Sequence, residues 1–410
     1  PVANAVQALQ GASANLVIQQ RSMNPNDNSM NINIRGVSTM NNNNPLVVID
    51  GMITEMGSLN NLNPADIENV SVLKDAGSAA IYGSRSSNGV ILVTTKKGSK
   101  SDKPIVRVST MTGFQDPDVL FQPVKGYENA LLKNQALINV GSSPKYTPAE
   151  IRDFQQNGDG QWFLDGILQS ALQQNYNASI SGGNETSTYM VSAGYYNQES
   201  NFVGSFGIER YNFRTNLVSQ YGKLKLSALM AFNRTMQKAP NASTGFLIVD
   251  GSRIPPYYTY QMKADNGKYL INDVISQFNP LGQLEAGGFQ KKDDDNFLGS
   301  LNAELDVAKG LKAKAMVGLD LGANHRFIRG LEVPFYSSPT AEKPNSYAND
   351  TRPTEDYNEK RYILNTQFLL DYNQTFNEDH NVSGLIGVSN ESYTRQANEI
   401  RMKYTDPDLG

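Results

Sequence analysis

Three glycines, Gly77, Gly83 and Gly89, punctuate the stretch 67–98, IENVSVLKDAGSAAIYGSRSSNGVILVTTKKG. Backbone amides in such a cluster can cradle a phosphate. That chemistry needs a G-x-G-x-x-G or a Walker-type spacing, and neither occurs here, so tight turns in a small packed unit account for the glycines. Asp293, Asp294 and Asp295 form an acidic run whose oxygens suit calcium. The three are consecutive, which is not the spacing of a coordinating loop, so they read as a solvated loop. Arg35-Gly36 admits two readings, a ligand contact or a buried guanidinium satisfying carbonyls. The only histidines, His325 and His380, read as lying in a loop and a turn, without a partner at ligand spacing. Asn-x-Ser/Thr triplets, such as that at 373–375, are expected by chance in an Asn-rich chain. With no cysteine, disulfides, thiol nucleophiles and thiolate metal sites are all excluded. No catalytic constellation emerges, and the chain reads as a non-enzyme with no cofactor and no metal.

The elements that would position any site fall into two kinds. The 410 residues exceed one ordinary domain. A net charge of -4 and a pI near 5.4 give no support to nucleic-acid binding. Mean hydropathy is -0.46, and no 18-residue apolar run predicts a transmembrane helix. A transmembrane β-barrel remains open, because alternation of lipid-facing and lumen-facing residues averages to a soluble-looking value.

Residues 1–98 predict a compact α+β unit. A short helix pattern carries Val6 and Leu9 and ends at Gly11. Alternating Ile32, Ile34 and Val37 follow, then a buried strand at 46–49, an Asp50-Gly51 turn, a helix start at Asn63-Pro64, strand positions Val70 and Val72, a helical turn at 76–83 and a β-branched strand from Val90. Lys96-Lys97-Gly98 closes the unit.

After Lys103 the period becomes two. In RYILNTQFLLDYNQTF one face carries Tyr362, Leu364, Thr366, Phe368, Leu370, Tyr372 and Phe376, suited to lipid. The other carries Arg361, Ile363, Asn365, Gln367, Leu369, Asp371 and Asn373, suited to a wet lumen. Roughly nine such strands are predicted. Tight turns at 182–185 and 308–311 alternate with long connections near 237–294 and 325–360, the asymmetry of an outer-membrane barrel. Residues 124–156 look helical and are placed outside the wall. Lumen-facing Asn, Gln, Asp and Arg can hydrogen-bond a polyhydroxylated or peptidic solute, although any aqueous pore is lined this way.

The strings INIRGVST, NPLVVIDGM and LNPADIENVSVLKDAGSAAIYGSRSSNGVILVTTKKG closely resemble the plug of the SusC/RagA family of TonB-dependent outer-membrane transporters of Bacteroidetes. The resemblance is dense from Ile32 to Gly98. It includes Arg35, Gly36, Asp50, Gly51, Lys74, Asp75, Tyr82, Gly83, Arg85 and Gly89. It implies a plugged barrel of about 22 strands that imports glycans or peptides with energy from TonB, partnered by a SusD-like surface lipoprotein acting as a lid. The TonB-contacting segment that the family implies is not in this sequence.

The expected fold is therefore mainly β: an N-terminal α+β plug at 1–98, then about nine strands of a roughly 22-stranded transmembrane barrel at 99–410, with long extracellular loops. A free last strand in lipid leaves backbone groups unpaired, so a remaining barrel segment is expected elsewhere. The expected location is the bacterial outer membrane, with outer-membrane lipid, an oligosaccharide or oligopeptide substrate, TonB and the lipoprotein as partners. The substrate-facing plug surface is expected at Met40, Asn41, Asn42, Asn43 and Asn44 and at Met52, Thr54, Glu55 and Ser58, which read as polar loops uncommitted to the core. A passive porin and a soluble β-rich binding protein are the alternatives. The first would lack a packed α+β plug, and the second would be soluble without detergent.

Overall fold

The computed structural model describes residues 6, 9–10, 16–20, 30–34, 36, 43–118, 124–157, 163–253, 261–271, 278–377 and 379–404. The N-terminal unit holds a two-stranded antiparallel pair, β1 (Leu16–Gln20) and β2 (Met30–Ile34), and a four-stranded sheet of β3 (Leu46–Ile49), β4 (Met52–Thr54), β5 (Ile67–Leu73) and β6 (Val90–Thr95). The sheet order is β4-β3-β6-β5, with β3 and β6 parallel and the other pairs antiparallel. All of β3 is buried, as its unbroken apolar run LVVI requires. Asp50-Gly51 forms the two-residue hairpin between β3 and β4. Both residues have positive φ, 49° and 89°, which Asp and Gly tolerate. Asn63 caps the 3-10 turn Pro64–Asp66 by accepting from the Ala65 amide.

Nine long strands make the second unit, a single antiparallel meander with no crossover. They are β7 (Ser101–Gln115), β8 (Ala171–Gly183), β9 (Ser187–Glu199), β10 (Gly207–Tyr221), β11 (Leu224–Pro240), β13 (Gly288–Ala308), β14 (Leu311–Gly330), β17 (Pro353–Phe376) and β18 (His380–Lys403). Turns of two or three residues join β8 to β9, β10 to β11, β13 to β14 and β17 to β18 at one end. Connections at the other end are longer. They hold the helices Gly126–Asn139 and Pro148–Asn157 and a small sheet of β12 (Tyr269–Leu270), β15 (Val333–Tyr336) and β16 (Ser346–Ala348).

The expected wall of about nine strands is present. Its strands run further than the apolar pattern suggests. Residues 288–295 and 325–330, read as loop, are strand, as are 237–240 and 353–360. Asp293, Asp294 and Asp295 therefore lie on β13, and His325 lies on β14, with its Nε2 3.3 Å from Asp356 Oδ1. His380 opens β18 rather than lying in a turn. The period of two persists here, but the outward face turns from apolar to charged, and an amphipathic template ends where the apolar face ends.

Candidate functional site

The first unit is held against one face of the wall by two main sets of polar contacts and by the Arg85–Glu391 pair. The first set gathers at the Asp50-Gly51 turn. Asp50 accepts from the Thr95 amide at 2.9 Å and the Thr95 hydroxyl at 2.6 Å, which fixes the turn to the end of β6. From the wall, Arg214 Nη2 on β10 donates to Asp50 Oδ2 at 2.7 Å and to Thr95 Oγ1 at 2.8 Å. Asn216, two residues along the same face, donates to the Lys96 carbonyl at 2.6 Å. Asn63 Nδ2 donates to Asn177 on β8 at 2.6 Å. The Arg214 side chain is 3% exposed and that of Asp50 9%, so this charge pair is desolvated and its hydrogen bonds are charge-assisted.

Asp66 is buried in this set. Burial pushes its carboxyl above the usual aspartate range. The Ser192 hydroxyl and the positive charges of Arg214 and Lys96 oppose that shift without cancelling it.

The second set joins β4 and the helix Met56–Asn61 to β13, β14 and β17. Asn365 donates to the Ile53 carbonyl at 3.1 Å. Ser58 Oγ donates to Asp320 Oδ2 at 2.9 Å, and Asn296 donates to Asp320 Oδ1 at 2.9 Å. Arg361 bridges Glu55 and Asp320, the latter at 3.1 Å. Asp320 is completely buried and is balanced by one guanidinium, one amide and one hydroxyl.

Glycines in the wall and at the junction allow the close approach. A Cβ at Gly194 would lie 2.6–2.8 Å from Asn212, Asn177 and Asn63. A Cβ at Gly318 would collide with the Met52 thioether, and one at Gly98 with the Tyr189 backbone. The chain thus passes from the first unit to the wall at the short-turn end.

The opposite face of the wall is apolar. Phe213, Phe232, Phe297, Leu321 and Tyr362 form one transverse row in register across five strands. Leu217, Leu301, Leu305, Val307, Val317 and Phe368 lie towards the short turns and are exposed. Phe297 to Val307 is ten residue-to-residue steps along β13. At about 3.3 Å per residue and a tilt near 40° this is roughly 25 Å, the apolar height of a membrane barrel. Beyond the aromatic row the same face becomes ionic, with Arg234 3.7 Å from Asp295 and 4.0 Å from Asp293. Among the described residues no helix is long and apolar enough to cross a membrane.

The residues singled out in the sequence divide between these surroundings. Arg35, Met40, Asn41 and Asn42 lie outside the described residues. Asn43 is half-buried and Asn44 exposed, and Asn44 accepts from the Asn88 side chain. The stretch from Met52 to Ser58 differs from the expectation that it is uncommitted to the core. Met52 is 1% exposed in the main apolar cluster, Thr54 and Ser58 are buried, and Glu55 is half-buried against Arg361. The cause is strand pairing: β4 continues the hairpin, so Met52 and Thr54 point inward on alternate positions. Arg85 pairs with Glu391 on β18 at 2.5 Å. Tyr82 packs on the second apolar cluster of the sheet, while Lys74 and Asp75 are exposed. Gly36, Gly51, Gly83 and Gly89 all hold positive φ, the conformation that explains glycine there. Gly89 also abuts the Ile34 side chain. Sequence reasoning missed Arg214, Asn296 and Asp320. Their only signal is a charge or amide on a lumen-facing strand position, which any wet pore shares.

The family model of the TonB-dependent Receptor Plug Domain matches residues 1–90. The chain is 30% identical to the TonB-dependent receptor P26 of Formosa agariphila over 95% of its own length and 38% of that protein. It is 30% identical to the TonB-dependent receptor SusC of Bacteroides thetaiotaomicron over 67% of its length and 29% of SusC. It thus spans well under half of these relatives. Among solved structures, the RagAB peptide transporter superposes with a TM-score of 0.79 at 22% identity, covering 100% of this chain and 48% of that one, a likeness of fold. Residues 1–90 are a TonB-dependent receptor plug, and the chain is SusC/RagA-like, that plug followed by part of an outer-membrane β-barrel wall.

Proposed function

We propose that this plug and wall work within a TonB-dependent transporter that actively imports a nutrient oligomer, a glycan or a peptide, across the outer membrane. A SusD-like surface lipoprotein acts as its lid, TonB supplies the pull, and a further barrel segment completes the wall. Its work is gating rather than bond-making chemistry. Residues 1–98 are read as the plug and 99–410 as wall, a division supported by the gap between β6, ending at Thr95, and β7, starting at Ser101. The carrying observation is the Asp50–Arg214 pair, which seats the plug on the lumen face by directional, reversible bonds.

The Asp50-Gly51 end of β3 faces the short turns, which in such barrels are periplasmic. Asn43 and Asn44 precede the other end of β3 and so suit the substrate-facing side, with Met40, Asn41 and Asn42 beside them in sequence. The relatives' names support the transporter reading. The RagAB neighbour, itself a peptide transporter, keeps peptides in view beside glycans. The test is uptake of labelled oligosaccharide and oligopeptide pools by cells carrying the full-length transporter, with TonB intact or inactivated. Uptake of one pool should require both TonB and the transporter, and a surface lipoprotein should co-purify in detergent. Uptake indifferent to TonB would make the protein a passive pore.

A further inference from the structure

The seam between plug and wall is not uniform. The β8–β10 flank is hydrogen-bonded to the plug through Asn177, Arg214 and Asn216, and the β14–β17 flank through Asp320, Arg361 and Asn365. Between these flanks, beside the long 3.5 Å contact of Asn296 on β13 with Ser58, the wall meets the plug through Leu229 and Ala231 on β11, Leu298 on β13 and Met316 on β14. All four are buried in the same apolar cluster as Met52. Among the described residues none of them has a side chain able to form a strong hydrogen bond. Gly318, next along the lumen face from Met316, leaves the space that the Met52 thioether fills.

Beneath this contact lies a recess of about 310 Å³ between plug and wall. Asp50 and Lys97 line it from the plug side, and Asn216, Gln367, Lys225, Glu304 and Lys314 are among the residues that line it from the wall. Leu229 and Met316 line the recess and also belong to the plug's apolar cluster. One layer of side chains therefore parts this recess of mixed polar and apolar lining from the plug core.

We infer that solute crosses the seam at this apolar window and is received by the recess, whose amides, charged groups and apolar patches suit an oligomer with polar and apolar faces. The inference rests on the import reading above. Under load a seam separates first where the directional bonds are fewest and longest, and here that is the apolar patch with the 3.5 Å Asn296–Ser58 contact at its edge. The cost of parting apolar surfaces scales with the area exposed. Methionine adds three rotatable bonds and a polarizable sulfur, so Met52 and Met316 can move aside without a rigid clash. The hydrogen-bonded flanks act as hinges and the plug stays in the barrel.

Two cross-links in the full-length transporter test this. Met52 Cγ lies 2.8 Å from where a Cβ at position 318 would stand, close to the Sγ–Cβ separation of a disulfide, so Met52→Cys with Gly318→Cys can close the window. Asn63→Cys with Asn177→Cys, joined by a short bifunctional reagent, ties the hinge flank instead. TonB-driven uptake should fall at least about tenfold in the oxidised window pair and return on reduction. The cross-linked hinge pair should keep more than about half its uncross-linked rate. The uncross-linked form of each pair sets its baseline, so a folding defect is not read as a gate. Equal loss from both cross-links means that the plug must leave the barrel, and it overturns the inference, as does full uptake through a cross-linked window. Failure of the parent transporter to take up solute overturns the import reading itself.

Discussion

Arg214 on β10 reaches Asp50 in the plug turn at 2.7 Å, and both side chains are almost wholly buried. The two residues are 164 positions apart, and their bond crosses from one folding unit to the other. A buried ion pair is weak evidence for net stability, because both charges lose their water. Its value is specificity. Arg214 Nη2 also meets Thr95, and Thr95 is already tied to Asp50, so only one seating of the turn satisfies all three.

Breaking this pair from one side should therefore cost more than removing it. Asp50→Ala strands a buried guanidinium and should weaken plug seating by about 3–5 kcal/mol. Asp50→Asn keeps an acceptor for the Thr95 amide and should cost less. The double variant Asp50→Ala/Arg214→Met should recover part of the loss. Limited proteolysis of the plug in the detergent-solubilised transporter reads this order. Equal sensitivity of the single and double variants would refute it.

Asp66 gives the seam a pH dependence of defined sign. Its carboxyl sits above the usual range because burial disfavours the charge. The folded protein then holds a proton that the unfolded chain releases near 3.8. Stability from this group is fully present below that value and is lost as pH rises through the raised folded value. Asp66→Asn should flatten the decline of plug stability with pH across that interval. Parallel pH profiles of thermal unfolding for parent and variant would show that Asp66 does not titrate there.

Gly194 and Gly113 both lie in wall strands and should respond unequally to alanine. At Gly194 the added methyl would stand within 2.8 Å of three side-chain polar atoms of the seam, including Asn63 of the plug. Gly113 has nothing within 4 Å. Gly194→Ala should destabilise seating by about 1–3 kcal/mol, as overpacking does, and Gly113→Ala should be close to neutral. Thermal unfolding of the two variants in the same detergent compares them directly.

The architecture was legible because period-two alternation is a local property. Tyr362 to Phe376 and Arg361 to Asn373 are assigned to opposite faces in sequence, and β17 places Tyr362, Leu364 and Phe368 outward with Arg361 and Asn365 against the plug. Strand ends were not legible. Above the aromatic row most positions on both faces of β13 and β14 are polar, as at Asp293, Asp294 and His325, and apolar residues as sparse as Phe289 and Phe327 set no hydrophobic period. The seam was hidden for another reason. Met52 looked free because nothing within ten residues shows that it fills the space beside Gly318, more than 260 positions away. Arg214 and Asp320 carried no local signal, since their partners come from the other unit.

The outward band makes the last prediction a contrast between adjacent residues. Leu301 faces outward, 66% exposed, near the middle of the apolar band, while Ser300 faces the plug side and is buried. An arginine at Leu301 must place its charge in hydrocarbon. It should cost about 2–4 kcal/mol, falling to about 0–1 near the interface. Val307 lies at the short-turn edge of the same strand, so Val307→Arg should be much milder than Leu301→Arg. A soluble protein would show no such gradient, because water covers both positions equally. Urea titration of the full-length transporter folding into lipid vesicles measures the two costs. Equal costs at 301 and 307 would remove the membrane from the outward face, and with it the reason for a plug.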